Sequence, residues 1–167
     1  MKEELTFRSL FERDWSMVSE IYSDGLDTGN ASFETNIPSW EDWDNRHLKS
    51  CRIIAEINGQ VVGWSALSPI SSRCIYGGVA ELSVYVSAEF RRKKIGTKLL
   101  ECLIKESEDN GIWTLQAGVF PENKASLELH KRLDFREIGF QEKIGKLNGV
   151  WRDILLLERR SENIGIE

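Results

Sequence analysis

A strand–helix–strand stretch in the middle of the chain constrains the fold most strongly. Residues 79–86 (VAELSVYV) alternate as a β-strand does, and residues 95–111 (IGTKLLECLIKESEDNG) repeat apolar side chains at helical spacing before an Asn-Gly stop. Residues 113–120 (WTLQAGVF) are a second β-rich run. Because a helix between two strands carries the chain back across the sheet, these two strands are predicted to be parallel neighbours.

The N-terminal segments add a strand, two helices and a hairpin. A short strand is predicted at residues 5–10 (LTFRSL). Helices are predicted at residues 12–26 and 39–50, the second opened by Ser39. Residues 51–67 contain two β-rich runs joined by an Asn-Gly pair, which is favoured in a type I′ turn.

A helix and a second hairpin follow the parallel pair. The helix, residues 122–135, aligns Ala125, Leu129 and Leu133 on one face, and the hairpin turns at an Asn-Gly pair, residues 148–149. The predicted order is β-α-α-β-β-β-α-β-α-β-β, an α/β (α+β) fold with a mixed sheet. No repeat or linker divides the 167 residues, so we expect one domain that ends in a short flexible tail.

Composition argues against several classes of protein. Hydrophobic residues make up 41% and charged residues 29%, values typical of globular proteins. The net charge of −5 disfavours a dedicated nucleic-acid binder, and no apolar run reaches the roughly 18–20 residues of a membrane span. Three cysteines without paired spacing and an N-terminus without a signal-peptide pattern predict a cytoplasmic protein. These cysteines and two histidines do not have metal-ligand spacing, so no metal is expected.

Four consecutive basic residues, 91–94 (RRKK), lie between the strand at 79–86 and the helix at 95–111. The first N–H groups of a helix lack intrahelical partners and lie at the positive end of its dipole, so a pyrophosphate would bind well here. Gly96 would allow close approach to the backbone. A solvated basic corner is the alternative. The Walker A loop and the three-glycine dinucleotide motif are both missing, which argues against those two nucleotide-binding folds.

The same stretch resembles the acetyl-CoA-binding motif of the GNAT superfamily of N-acetyltransferases, which reads roughly Q/R-x-x-G-x-G/A. Arg91 takes the first position and Gly96 the last. Lys94 stands where the family usually has its first glycine. A lysine is tolerated there if the backbone keeps φ negative.

The helix at residues 122–135 extends the resemblance. Asn123 and Ser126 match the superfamily pattern, whereas Asp134 replaces the glycine of the usual L-G-F. Asp134 must therefore either accept a left-handed conformation or shift the helix cap by one residue. The strings GNASFET, VAELSVYV, LHKRLDFREIGF and KIGKLNGVWRDILLLER together resemble the phosphinothricin N-acetyltransferase family and its methionine sulfoximine relatives, from about Ile21 to the last strand.

This resemblance implies both a fold and a reaction. The fold would be a GNAT-like mixed, mostly antiparallel sheet of about seven strands, with a central parallel pair splayed for acetyl-CoA and helices on both faces. The reaction would be acetyl-CoA-dependent acetylation of the α-amine of a small anionic amino-acid analogue, by direct attack in a ternary complex. Because the family tends to dimerise, a homodimer is expected.

Glu81 and His130 are the catalytic candidates. Glu81 faces away from Ala80 and Leu82, and a carboxylate in a partly apolar groove has a raised pKa that suits a general base. A salt-bridged glutamate on a solvated face is the alternative. The resemblance assigns Glu81 to deprotonation of the amine. It places His130 in proton transfer, either relaying from the amine or protonating the CoA thiolate, and a surface or structural histidine is the alternative.

The resemblance also implies the binding residues. For the acceptor they are Phe33, Arg73 and Tyr76, and an arginine suits an anionic acceptor because its fork binds a carboxylate or phosphinate at two points. Core packing is the alternative for Phe33, and an ordinary surface position is the alternative for Arg73. The segment Trp151–Asp153 is interpreted as support for the site or for a dimer contact. The residues implied for acetyl-CoA are Val84, Tyr85, Val86, Arg91, Arg92, Lys93, Lys94, Ile95, Gly96, Thr97, Asn123 and Ser126.

Two other functions stay open. The acceptor could be a polyamine, a peptide or an antibiotic amine, since the acidic net charge fits a cationic acceptor although Arg73 argues for an anionic one. The chain could also be a non-catalytic acetyl-CoA-binding module, with Lys94 and Asp134 as signs of decay. The joint presence of both catalytic candidates argues against this second alternative.

Overall fold

The computed structural model describes residues 3–167, and its helices and strands follow one another in the predicted order. The strands are β1 (Leu5–Ser9), β2 (Ile53–Ile57), β3 (Gln60–Pro69), β4 (Val79–Val86), β5 (Thr114–Val119), β6 (Arg136–Leu147) and β7 (Val150–Arg160). The α-helices are α1 (Trp15–Asp27), α2 (Trp40–Arg46), α3 (Ile95–Asp109) and α4 (Lys124–Arg132).

The seven strands form one sheet in the order β1-β2-β3-β4-β5-β7-β6. Every neighbouring pair is antiparallel except β4 and β5, which are parallel as predicted. This pairing lasts for only three residues, from Val79 opposite Thr114 to Glu81 opposite Gln116. Beyond it both strands continue, β4 to Val86, so the sheet opens between them. This opening is called the fork.

Helices cover both faces of the sheet, which confirms the predicted architecture. One face packs Ala80 and Leu82 of β4 against a cluster that includes Leu99 and Leu103 of α3. The other face packs β2 and β3 against α1 and α2 through a second cluster that contains two buried tryptophans. Burial of this apolar surface supplies the main driving force for the fold.

The Asn-Gly turns form as their sequence predicts. Asn58 and Gly59 both have positive φ, at 51° and 81°, and the pair at 148–149 repeats this with 49° and 81°. These values are those that a type I′ hairpin requires. The Ser39 side chain caps α2 by accepting a hydrogen bond from the Asp42 N–H at 3.2 Å.

The predicted apolar face of α4 is confirmed in part. Leu129 and Leu133 pack half-buried against the first core cluster, whereas Ala125 is exposed. Leu127 and His130, which the pattern did not include, are the buried residues of the helix.

Asp134 takes the first of its two predicted options. Its φ of 66° is left-handed, and the Phe135 N–H bonds to the His130 carbonyl at 3.1 Å, closing the helix end.

The C-terminal residues contact the body of the protein. The Asn163 side chain donates to Glu108 at 3.0 Å, and Arg160 donates to the Ile164 carbonyl at 3.0 Å. The flexible tail expected there stays a prediction. None of the helices in residues 3–167 is both long and apolar enough to cross a membrane.

Candidate active site

Glu81 occupies the last paired position before the fork. Its neighbours Ala80 and Leu82 are buried on the α3 face, so the Glu81 side chain points to the opposite face, where it still reaches solvent. The surrounding protein desolvates the carboxylate enough to raise its pKa above the usual 4.5. Within residues 3–167 no hydrogen bond or ion pair reaches it, and its neighbour on β3 is Ser68 rather than a cation. The salt-bridged alternative therefore has no partner here.

Beyond the fork, β4 is bonded on one side only. Its residues Val84–Val86 pair with β3, while no strand among residues 3–167 lies along the edge that faces β5. The side chains of Val84 and Val86 pack into the core, and Tyr85 stacks on Trp64 with ring centroids 5.0 Å apart. What this segment can offer a ligand is therefore its backbone N–H and C=O groups, which an extended amide chain such as pantetheine would pair with.

The residues 91–94, here called the basic loop, lead from β4 into α3. Arg92 and Lys94 both have left-handed backbone, with φ of 65° and 61°. The negative φ under which a lysine would be tolerated without strain is therefore not present at Lys94. The chain must turn sharply before α3, so the lysine adopts the conformation that a glycine would take more easily.

The start of α3 fits a phosphate group. No side chain caps it, and the Lys98 N–H is bonded to the Lys94 carbonyl at 3.1 Å, which leaves the N–H groups of Ile95, Gly96 and Thr97 without an intrahelical partner. Lys93 pairs with Glu3 at 2.9 Å. Among the residues described, Arg91, Arg92 and Lys94 form no ion pair within 4.0 Å, and all four basic side chains are exposed.

Gly96 has a packing reason to be small. A Cβ added there would lie 3.6 Å from Leu129 and 3.7 Å from Val86, which are ordinary contact distances. An alanine would fit but a larger side chain would meet α4 and β4. This agrees with the Gly or Ala of the motif at this position.

The predicted residues of α4 form a connected set. The Asn123 Oδ1 accepts from the Ser126 N–H at 3.2 Å and caps the helix, while its Nδ2 donates to the Asn30 carbonyl at 3.1 Å. His130 lies one turn further along, with its Nδ1 2.6 Å from the Ser126 carbonyl. Because only an N–H can bond a carbonyl, Nδ1 holds the proton and Nε2 is an acceptor.

His130 is a buried residue, only 4% exposed, which excludes the surface alternative. Its Nε2 has no hydrogen-bond partner within residues 3–167, and its ring lies edge-on to Phe135. Burial lowers the pKa of the imidazole below 6.5, so the ring is neutral at pH 7. His47, by contrast, stacks on Trp43 in the second core cluster and is structural.

The three predicted acceptor residues form two groups, one on each side of Glu81. Phe33 lies edge-on to Phe120, just past the C-terminal end of β5, with centroids 5.1 Å apart. Arg73 and Tyr76 lie in an exposed turn before the N-terminal end of β4, where the guanidinium stacks over the phenol ring at 5.6 Å. Since β4 and β5 are parallel, the two groups lie toward opposite ends of the fork strands, with Glu81 between them.

Sequence reasoning gave Arg152 only a supporting role and did not predict its contacts. Its guanidinium donates to the Gly29 carbonyl at 2.7 Å and to Asn30 Oδ1 at 2.9 Å, and it pairs with Glu122 at 3.2 Å. It also lies 4.0 Å over the Phe120 ring. The WRD string was the available signal, but Gly29 and Asn30 lie more than 100 residues away from Arg152 along the chain, and Glu122 lies 30 residues away.

A comparison with known families decides the identity. Residues 8–135 match the acetyltransferase (GNAT) family. The protein belongs to the GNAT family. It is therefore an N-acetyltransferase with acetyl-CoA as its acetyl donor, and the open edge of β4, the uncapped start of α3 and the unpaired cations fit that substrate. Within residues 3–167 no group of three or more His, Cys, Asp or Glu side chains is placed to hold a metal ion.

Relatives of this GNAT protein act on different amines. It is 27% identical to the L-methionine sulfoximine/L-methionine sulfone acetyltransferase of Pseudomonas aeruginosa, over 84% of this chain and 86% of that one. A phosphinothricin acetyltransferase from Sinorhizobium meliloti, solved with acetyl-CoA, is 27% identical with a TM-score of 0.83, over 93% and 88% of the two chains. A ribosomal-protein-alanine N-acetyltransferase from Brucella melitensis is 29% identical with a TM-score of 0.85, over 93% and 99%.

Proposed function

We propose that this GNAT protein acetylates the α-amine of a small anionic amino acid of the phosphinothricin or methionine sulfoximine type. The observation that carries the proposal is Glu81, an unpaired carboxylate with a raised pKa at the point where the parallel strands separate. The relatives from P. aeruginosa and S. meliloti support this acceptor class. Arg73, exposed beside Tyr76, would bind the acceptor's carboxylate or phosphinate.

In the proposed reaction the amine nitrogen attacks the thioester carbonyl carbon directly. A C–N bond forms, the C–S bond breaks, and the proton lost by the amine goes to Glu81, directly or through water. The sulfur leaves as the CoA thiolate and then takes a proton. No covalent enzyme intermediate is needed, because holding both substrates in one complex supplies much of the rate.

His130 is proposed to take part in proton transfer. Its neutral ring offers the lone pair of Nε2, so it can accept a proton before it can donate one. A protonated amine loses two protons, one to Glu81 before the attack and one from its nitrogen after the C–N bond forms, and His130 would take the second. The imidazolium that results would then protonate the thiolate.

The acetyl-CoA contacts are proposed from the family motif and the geometry. The N–H groups at the start of α3 would bind the pyrophosphate, with the basic loop around it, and Val84–Val86 would pair with pantetheine. The Oδ1 and Nδ2 atoms of Asn123 each make one hydrogen bond, so a contact to the cofactor arm would use the second oxygen lone pair or the second N–H.

A peptide or other cationic amine is the second candidate acceptor. Burial raises the pKa of the Tyr22 and Tyr85 phenols, and the Glu34 carboxylate adds a smaller effect on both, which places that carboxylate near the C-terminal half of β4. The Brucella relative is named for a protein substrate. These two observations favour testing acceptors of opposite charge side by side.

The test measures release of free CoA thiol from acetyl-CoA against a blank without acceptor. L-Phosphinothricin and L-methionine sulfoximine are compared with spermidine and an alanine-initiated peptide. We expect release with the two anionic amino acids, and about a tenfold higher acceptor KM in Arg73→Gln. Arg136→Gln is the matched control, since Arg136 is an exposed arginine paired with Glu158 on β6 and β7. Release with cationic amines alone would contradict the anionic acceptor.

We also propose a cytoplasmic homodimer. The hairpin of β6 and β7 exposes a set of large apolar side chains, Ile138, Phe140, Ile144, Val150 and Trp151. An exposed apolar group of this kind is typical of a protein interface. Cys51, Cys74 and Cys102 are free thiols, as in a reducing compartment. Light scattering should give twice the chain mass, and a Trp151→Glu variant should shift toward the monomer.

A further inference from the structure

Arg152 connects two segments that are far apart in the chain. The first is the acceptor loop, defined here as residues 28–39 between α1 and α2. The second is the connection from β5 to α4, which contains Phe120 and Glu122. Arg152 donates to Gly29 and Asn30 of the acceptor loop, pairs with Glu122 and stacks on Phe120. Its side chain is only 15% exposed.

Loss of this arginine would be costly for the acceptor loop. Hydrogen bonds from a guanidinium are charge-assisted, and at low exposure little water is present to replace them. The acceptor loop contains no helix or strand of its own, so its shape depends on contacts of this kind. Asn123, at the start of α4, also donates a hydrogen bond to this loop, to the Asn30 carbonyl.

Phe120 lies between Arg152 and Phe33 and contacts both, so the position of Phe33 depends on Arg152. The Arg152 guanidinium carbon lies 4.0 Å from the centroid of the Phe120 ring. The Phe33 and Phe120 rings are nearly perpendicular, with their centroids 5.1 Å apart. Gly145 pairs with Arg152 across β6 and β7 and lies beside the Phe33 ring. A Cβ at Gly145 would lie 3.0 Å from the Phe33 ring, so glycine leaves the space that the aromatic ring fills.

We propose that Arg152 is a positioning residue for the amine acceptor. It fixes the acceptor loop against the end of β5, and this holds Phe33 in the place where the acceptor binds. Arg152 itself contacts neither substrate in this account. The inference rests on the proposed function, and it adds to Arg73 the second acceptor residue that the family resemblance implies, Phe33.

The test compares Arg152→Gln and Arg152→Lys with Arg159→Gln. Arg159 is a matched control, because it lies on the same strand, is 19% exposed and pairs with Glu108 at 3.3 Å, far from the acceptor loop. Two readouts are taken: hydrogen exchange of the acceptor-loop amides, and the KM of L-phosphinothricin and of acetyl-CoA.

For Arg152→Gln we expect about tenfold faster exchange in the acceptor loop and about a tenfold higher acceptor KM, with the KM of acetyl-CoA within about twofold. Arg152→Lys should recover part of both effects, because it keeps one charged donor. Gly145→Ala should raise the acceptor KM without changing the contacts of Arg152, since it displaces Phe33 directly.

Acceptor-loop exchange that matches Arg159→Gln would overturn the proposal, as would equal increases in the two KM values. Failure of the proposed function gives a different result, namely wild-type protein that releases no CoA with any amine. In that case the exchange comparison still decides whether Arg152 holds the loop.

Discussion

The two substrate sides of this acetyltransferase are built in opposite ways. The basic loop is exposed, has two residues with strained left-handed backbone, and holds three cations without an ion pair among the described residues. The acceptor loop, by contrast, is held in place by hydrogen bonds from Arg152 and Asn123 and by the contact between the Phe33 and Phe120 rings. A ligand with several phosphates brings its own strong charges, so charge can bind it to an open loop. A small amine offers few contacts, so its site must be formed in advance.

The largest loss of activity is expected from a change at Glu81, which lies at the fork between the acetyl-CoA side and the acceptor side. Glu81→Gln removes the base but keeps the shape, so kcat should fall about a hundredfold while both KM values change little. Glu106→Gln is the control, because burial also raises the pKa of Glu106, which lies on α3 away from the fork. The kcat and KM values of both variants are measured from CoA release in a stopped assay. A Glu81→Gln enzyme with near-normal kcat would remove Glu81 from the chemistry.

The next effect should be confined to the acetyl-CoA side. Replacing Arg91 and Arg92 together by glutamine should raise the KM of acetyl-CoA about tenfold at low salt, and less at about 0.5 M salt because screening already weakens charge attraction in the wild type. The acceptor KM should not move. Lys105→Gln, at an exposed position of α3 away from the basic loop, should change neither value. A salt-independent loss would point to structure rather than charge.

A third prediction concerns pH and the buried histidines. Burial holds the pKa of His130 and His47 below the 6.5 of the unfolded chain, so the unfolded state binds more protons as pH falls through 6.5. The free energy of unfolding should therefore fall below that pH, by up to about 1.4 kcal/mol per pH unit for each histidine. Urea unfolding at pH 7.5 and 5.5 checks this. His130→Gln should show a smaller decline than the wild type, and an unchanged decline would contradict a buried neutral His130.

The smallest effect is expected at Lys94. Because its φ is 61°, Lys94→Gly should raise the free energy of unfolding by about 1 kcal/mol. Lys93 does not have positive φ, so Lys93→Gly should lower stability instead. Thermal unfolding of the two variants gives the comparison. Equal loss in both would show that the left-handed backbone at Lys94 costs nothing.

The same contrast explains what could be predicted from the sequence. Element order, the parallel pair and the Asn-Gly turns depend on local spacing and turn chemistry, and they are confirmed. The left-handed backbone of Lys94 and the burial of Leu127 and His130 depend on how the chain packs in space, and the local pattern did not indicate them. The contacts of Arg152 join residues 30 to 123 positions apart, so no local pattern indicates them. The roles of Glu81 and His130 stay predictions that the geometry permits.

One kinetic experiment, in which the concentrations of acetyl-CoA and of the acceptor are both varied, tests most directly whether the two substrate sites are built independently. Initial rates are measured for the wild type, the Arg91→Gln/Arg92→Gln double variant and Arg152→Gln, with L-phosphinothricin as acceptor. We expect a crossed result. The double variant should have a higher KM for acetyl-CoA only, and Arg152→Gln should have a higher KM for the acceptor only. A rise of both KM values together in either variant would contradict it.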